Sequence, residues 1–124
     1  MVTVAAYVAQ SSAQPFVWGQ TDCMLWCATL VAARRGDDPA ADLRGTYDSA
    51  FGARRIVMAA GGLRALSRQR MGPPDPVPGA DGVCVARWRG QTICGIRSAG
   101  HLILKTPGGV MLPEGADILD YWNL

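Results

Sequence analysis

The chain has 124 residues, of which 49% are hydrophobic and 18% are charged, and its formal net charge is +2. This composition is typical of one globular domain, and a chain of this length holds a core without disulfides or a structural metal. The longest apolar run, residues 23–33, is too short for a membrane span, which needs about 20 residues. The first residues lack the pattern of a secretory signal, so we expect folding in the cytoplasm of the producing cell.

The most informative helix is predicted to begin at Cys23. Thr21 or Asp22 can cap its N-terminus, and Gly36 can end it after two arginines that complement the negative end of the helix dipole. Because its residues are apolar on almost every side, we expect a central, buried helix. Three further helices are predicted at residues 2–10, from a cap at Thr46 or Asp48 to residues 59–60, and at residues 63–71.

The second half of the chain has the pattern of strands. A Pro- and Gly-rich connection at 72–80 separates a helical half, 1–72, from a strand half, 81–124. We therefore expect an α+β fold over the whole chain, 1–124, with a four-stranded antiparallel sheet packed on the Cys23 helix. Residues 117–122 are expected to add a last turn of helix. The four strands are predicted at 83–88, 92–96, 101–105 and 110–112.

The basic residues are unevenly distributed. Residues 44–70 contain six arginines and one acidic residue, Asp48. No aromatic residues alternate with these arginines, so we expect no nucleic-acid binding, and a solvated helix face or a protein interface is the more common meaning. Trp88 and the Tyr121–Trp122 pair lie near the ends of predicted elements, where we expect them to be exposed and to add to such an interface.

The four cysteines differ in position. Their spacings match no common zinc site, so we expect neither a metal nor another cofactor. Cys27, Cys84 and Cys94 have the pattern of small core residues. Cys23 lies in the first turn of a helix, where the dipole and unpaired amides favour the thiolate. It is therefore the candidate nucleophile.

These residues carry a resemblance to a known family. The segment from Trp18 and Gly19 to Asp22 and Cys23, followed by an apolar helix, resembles the signature of the NlpC-like papain-fold cysteine peptidases. Residues 78–83 are similar to that family's entry to its first strand, and residues 93–96 are similar to its second strand. Members cleave peptides of bacterial cell-wall peptidoglycan, and some occur in phage tail tips. The resemblance implies a papain-like fold, with Trp18 and Gly19 at the substrate cleft or in a structural role.

A more specific resemblance is to a small phage and prophage domain related to those peptidases. Residues 38–47 and the Gly-Gly-Leu at 61–63 carry it. Genes for that domain usually lie among tail genes. The resemblance implies a tail-tip component of a virion, made in the bacterial cytoplasm, with hub or distal tail proteins as partners.

The peptidase chemistry does not transfer directly. A cysteine peptidase needs an imidazole close to its thiol, and Ile93 occupies the position that matches the family's histidine. The single histidine, His101, lies past the next turn and is a weak candidate base. Two hypotheses follow: a structural tail component with degenerate catalysis, or an active peptidase or amidase acting on peptidoglycan through Cys23. A third, a thiol-redox protein using Cys23 and Cys27, lacks the usual C-x-x-C spacing.

Overall fold

The computed structural model describes residues 2–124, and its helices precede its strands. The predicted α+β class and the predicted antiparallel sheet are both confirmed. The strands lie in the order β4-β3-β2-β1-β5 across one sheet. The helices are α1 (Val4–Ser11), α2 (Cys23–Arg35), α3 (Ala50–Ala59) and α4 (Leu63–Met71); the strands are β1 (Gly82–Trp88), β2 (Gln91–Ser98), β3 (His101–Thr106), β4 (Gly109–Met111) and β5 (Asp117–Asn123).

The ends of the helices follow local chemistry. Asp22 caps α2 by accepting a hydrogen bond from the Leu25 amide, and Gly36 ends the helix with a left-handed φ of 88°. The cap of α3 is Ser49, which accepts from the Gly52 amide, and not Thr46 or Asp48 as predicted. The Thr46 hydroxyl is already engaged, because it donates to the carbonyl of Leu43.

The sheet has five strands and not the predicted four, because the segment expected to form a last turn of helix at 117–122 is strand β5. β5 pairs antiparallel with β1, with a bulge between Val85 and Ala86. Its isoleucine and aromatic residues suit a strand, and pairing with β1 satisfies backbone groups that an edge strand would leave open. Tyr121 and Trp122 are buried, at 2% and 3% exposure, so the expectation that this pair is exposed was wrong.

The two faces of the sheet carry different clusters. Val85 and Cys94 lie opposite one another and face α2, where they pack with Trp26. Cys84, one residue along β1, packs with Tyr121 on the other face. Since successive strand residues alternate between faces, Cys84 and Cys94 point to opposite sides of the sheet. All four cysteines are free thiols.

Four of the six arginines in residues 44–70 form ion pairs with aspartates of the same chain. Arg64 and Arg68 of α4 both donate to the buried carboxylate of Asp120, at 3.1 and 2.8 Å in their closest contacts, and so hold α4 against β5. The two guanidinium groups lower the pKa of Asp120 to about 2, with Arg68 the larger cause. Arg44 pairs with Asp38, and Arg70 pairs with Asp42.

Within residues 2–124, no helix is both long and apolar enough to cross a membrane.

Candidate functional site

The N-terminus of α2 is organised by the carboxylate of Asp22. One oxygen, Oδ1, accepts from the Leu25 amide at 3.0 Å. The other, Oδ2, accepts from the Gly19 amide at 2.8 Å and from the Tyr47 hydroxyl at 2.6 Å. Asp22 is 1% exposed, and these three donors satisfy it without any external group. The geometry therefore gives Asp22 a structural role at the helix cap.

Gly19 is required at its position for two reasons. Its φ of 80° lies in the left-handed region, and a Cβ at this position would collide with the carbonyl oxygen of Tyr47. The Gly19 carbonyl also accepts from the Gly45 amide at 2.9 Å. The segment that carries the more specific resemblance, residues 38–47, thus wraps the N-terminus of α2 and fixes the loop that precedes Cys23.

Cys23 is the first residue of α2 and is half-buried. Burial raises the pKa of its thiol to about 11, and the neighbouring Asp22 carboxylate adds to this increase. The backbone amide of Cys94, on β2, acts in the opposite direction, and so do the amides of Met24 and Cys23 itself, as the helix N-terminus predicts. Burial outweighs them, so the thiol is protonated at neutral pH.

The residue at the family's histidine position faces away from Cys23. Ile93 pairs with Ala86, whereas the next residue, Cys94, pairs with Val85 on the face that packs against α2. Ala86 belongs to the cluster on the opposite face of the sheet. Because strand residues alternate, Ile93 shares that opposite face, and a histidine at position 93 would also point away from the thiol.

His101 lies far from the site. It is exposed at the start of β3 and pairs with Ser98. Ser98 is four residues along β2 from Cys94, a distance of about 13 Å at 3.3 Å per residue. Since the sequence contains one histidine, this chain supplies no imidazole to Cys23.

An open cleft of about 550 Å³ lies beside Cys23. Its walls come from the loop before α2, from α3 and from the start of β2. Trp18 forms part of one wall and meets the Phe16 ring edge-on, with the ring centroids 4.7 Å apart. Sequence reasoning missed most of this lining, including Met58 of α3 and Thr92, an exposed residue of β2. It also missed Arg54, the one residue with a formal charge in the lining besides the sequestered Asp22.

Sequence reasoning also did not predict that Lys105 would be buried. Its side chain is fully buried, and within residues 2–124 its Nζ has no hydrogen-bond partner, so it is not bonded to the Cys23 thiol. The nearest aromatic group is Trp26, whose ring centroid lies 6.0 Å from Nζ. Burial lowers the pKa of Lys105, and the Asp22 carboxylate opposes that shift. The alternation of β3 carries the signal, because Lys105 shares a face with the core residue Ile103.

The described residues, 2–124, contain no group of three or more His, Cys, Asp or Glu side chains arranged to hold a metal ion. The site is thus a thiol at a capped helix N-terminus beside a cleft, on an α+β fold. A family model matches residues 2–124, and the chain belongs to that family, described as "Domain of unknown function (DUF6950)". Comparisons with curated proteins and with solved structures gave no significant match.

Proposed function

We propose that the chain is a structural or assembly component of the tail-tip region of a phage or phage-derived particle. In this proposal the domain has a papain-like, NlpC-type shape with degenerate catalysis, and its partners are hub or distal tail proteins. The tail assignment rests on the resemblance of residues 38–47 and 61–63 to a tail-associated phage domain. The virion is accordingly the proposed location.

The observation that supports lost catalysis is the state of Cys23. A cysteine peptidase needs a thiolate and an acid that protonates the leaving amine. Here burial raises the pKa of the thiol to about 11. Ile93 faces the other side of the sheet, and His101, the first residue of β3, pairs with Ser98, four residues along β2 from Cys94. A protonated thiol without a nearby base is a poor nucleophile.

Residues 38–47, which carry the resemblance to the phage domain, also stabilise the fold. Asp38 pairs with Arg44 at 2.7 Å, and the Tyr47 hydroxyl binds Asp22. These contacts hold the loop around Gly19 and the start of α2. These contacts give the segment a role in folding that needs no substrate.

The test is tail assembly in a phage or prophage that encodes the chain. Deleting the gene should leave incomplete tails, and supplying the wild-type gene in trans should restore them. Cys23→Ala should assemble tails in normal numbers. Gly19→Ala, which strains the α2 loop, serves as the control that loses tails through misfolding. Normal tails after deletion, or a folded Cys23→Ala protein that blocks assembly, would contradict the proposal.

A second candidate is an active thiol peptidase or amidase acting on peptidoglycan. Two observations favour it: Cys23 lines the open cleft together with Trp18, and the Cys94 backbone amide lowers the pKa of its thiol. Purified protein would then release peptides from peptidoglycan fragments, and Cys23→Ala would not. Alkylation by iodoacetamide from pH 5 to 9 gives an independent measure, since an activated thiol reacts well below pH 8.5. We expect no peptide release and slow alkylation of Cys23 across this range.

A further inference from the structure

Helix α3 presents an unpartnered face of mixed chemistry. Phe51, Arg54, Arg55 and Met58 are spaced by three, four and seven residues, so they lie on one side of the helix. Phe51 is 73% exposed and Met58 is 64% exposed, and both arginines are exposed. None of the residues of α3 is buried. We call these four residues the α3 face.

The two arginines of this face differ from the others of the basic stretch. Within residues 2–124, Arg54 and Arg55 form neither an ion pair nor a side-chain hydrogen bond, whereas the other four arginines of residues 44–70 each bind an aspartate. The guanidinium carbon of Arg55 lies 6.0 Å from the centroid of the Phe51 ring, a loose contact that leaves its donors free. The fold thus leaves two positive charges uncompensated between two exposed apolar side chains.

We propose that the α3 face binds an acidic amphipathic helix of a partner protein. Phe51 and Met58 are separated by seven residues, or about 10 Å along the helix. A matching helix would present apolar side chains at that separation, with two carboxylates between them to meet the guanidinium groups. Aromatic, methionine and arginine side chains are enriched at such interfaces.

The pattern favours a protein over other occupants. A nucleic acid would meet the two arginines but would leave Phe51 and Met58 without apolar contact. A membrane surface would take up the apolar residues, but two arginines supply little attraction compared with the usual polybasic segment. This inference rests on the proposed function in one respect, because it takes the partner that carries the acidic helix to be a tail protein. The binding test below needs no virion, so the two proposals can fail separately.

The test uses the full chain and a fluorescein-labelled helical peptide measured by fluorescence anisotropy. The probe carries two leucines seven residues apart and two glutamates between them, in an otherwise Ala- and Gln-rich sequence. A matched peptide has lysines in place of the glutamates. We expect the glutamate peptide to bind about tenfold more tightly than the lysine peptide, and less so at high salt.

Variants of the chain make the test specific. The double substitution Arg54→Glu with Arg55→Glu should weaken the glutamate peptide about tenfold and should make the lysine peptide the better ligand. Replacing Phe51 and Met58 by glutamine should weaken both peptides. Arg87→Glu is the matched control, because Arg87 is exposed on β1 and forms no ion pair within residues 2–124. Thermal melts check that each variant is folded.

Four outcomes would overturn the proposal. The first is absence of glutamate-peptide binding at millimolar concentration. The second is an equal loss of peptide affinity in Arg87→Glu. The third is self-association in sedimentation that depends on Arg54 and Arg55, which would make a second copy the occupant. The fourth is binding of a DNA duplex that is tighter than peptide binding and is abolished by the same double substitution. Exchange of peptide preference in the double variant would support the proposal.

Discussion

Asp22 and Lys105 are both buried beside α2, yet their surroundings are opposite. Asp22 accepts three hydrogen bonds, from the Leu25 and Gly19 amides and from the Tyr47 hydroxyl. Within residues 2–124, Lys105 Nζ has no hydrogen-bond partner. A buried charge that is fully hydrogen-bonded organises its surroundings, while an unpartnered one loses hydration without replacement. The comparison predicts that removing Asp22 destabilises the fold and that removing the amine of Lys105 stabilises it.

The largest effect is expected for Asp22→Ala. The substitution removes the cap of α2 and leaves the Gly19 amide and the Tyr47 hydroxyl without an acceptor. Loss of the cap and of buried partners should lower the free energy of unfolding by about 3 kcal/mol. Urea denaturation followed by circular dichroism measures the loss.

Two related variants make the interpretation of Asp22→Ala specific. Asp22→Asn keeps an oxygen for capping, so it should lose less stability than Asp22→Ala. Asp48→Ala is the matched control, because Asp48 is exposed and close in sequence to Tyr47. Its effect should be within about 0.5 kcal/mol. Equal losses in Asp22→Ala and Asp48→Ala would show that the buried hydrogen bonds are not the cause.

Lys105→Met should increase stability at pH 7, by about 1 kcal/mol. Methionine has a similar shape and fills the space beside Trp26 without a polar end to desolvate. The gain should shrink as the pH rises. Burial lowers the pKa of Lys105 in the folded state, so between that pKa and the ordinary value of 10.5 the unfolded chain binds more protons. Wild-type stability then rises with pH through this term, and the Met variant lacks it.

The measurement compares urea midpoints of the wild type and Lys105→Met at pH 7 and pH 10. The raised pKa values of the buried thiols and phenols act in the opposite direction in both proteins, so the difference between the two is the informative quantity. Ile103→Met, on the same face of β3, controls for the effect of methionine alone. A clear loss of stability in Lys105→Met would mean that the amine has a favourable partner.

Local chemistry predicted the framework of this site from sequence. The cap at Asp22 and the end of α2 at Gly36 follow from backbone geometry and hydrogen bonding over a few residues. The left-handed φ of Gly19 is equally local, whereas the close approach of the Tyr47 carbonyl to Gly19 depends on the tertiary fold. The three antiparallel hairpins that join β1 to β2, β2 to β3 and β3 to β4 follow from alternating hydrophobic patterns and turn residues. The strand that was missed, β5, pairs with β1 from 30 or more positions away, so no local signal specifies it.

The parts of the site that depend on strand register were harder to predict. A shift of one residue decides whether Ile93 or Cys94 faces α2, and the motif alone does not contain that information. Backbone amides at the start of α2 lower the pKa of the Cys23 thiol, and so does the Cys94 amide of β2, which the sequence did not place beside it. Burial acts more strongly, and it depends on how α2 packs against the sheet; the carboxylate of Asp22, the preceding residue, adds to it. Tertiary packing therefore decides the chemistry of this cysteine.

The smallest change in the free energy of unfolding is expected for the arginines of the α3 face. These arginines test whether a charged side chain destabilises the fold because it is buried or because it lacks a partner. Arg54 and Arg55 resemble Lys105 in having no partner within residues 2–124, but their side chains remain exposed to water. Arg54→Ala and Arg55→Ala should each change the free energy of unfolding by less than about 0.5 kcal/mol.

Arg68→Ala is the informative contrast, because it removes a contact of 2.8 Å with the buried Asp120 carboxylate and should lower stability measurably. If the α3 variants lose as much as Arg68→Ala in urea denaturation, these arginines stabilise the fold and are not free for a partner. Unchanged stability, together with the altered peptide preference expected for the charge-reversed pair, would mean that the α3 face contributes to binding and not to folding.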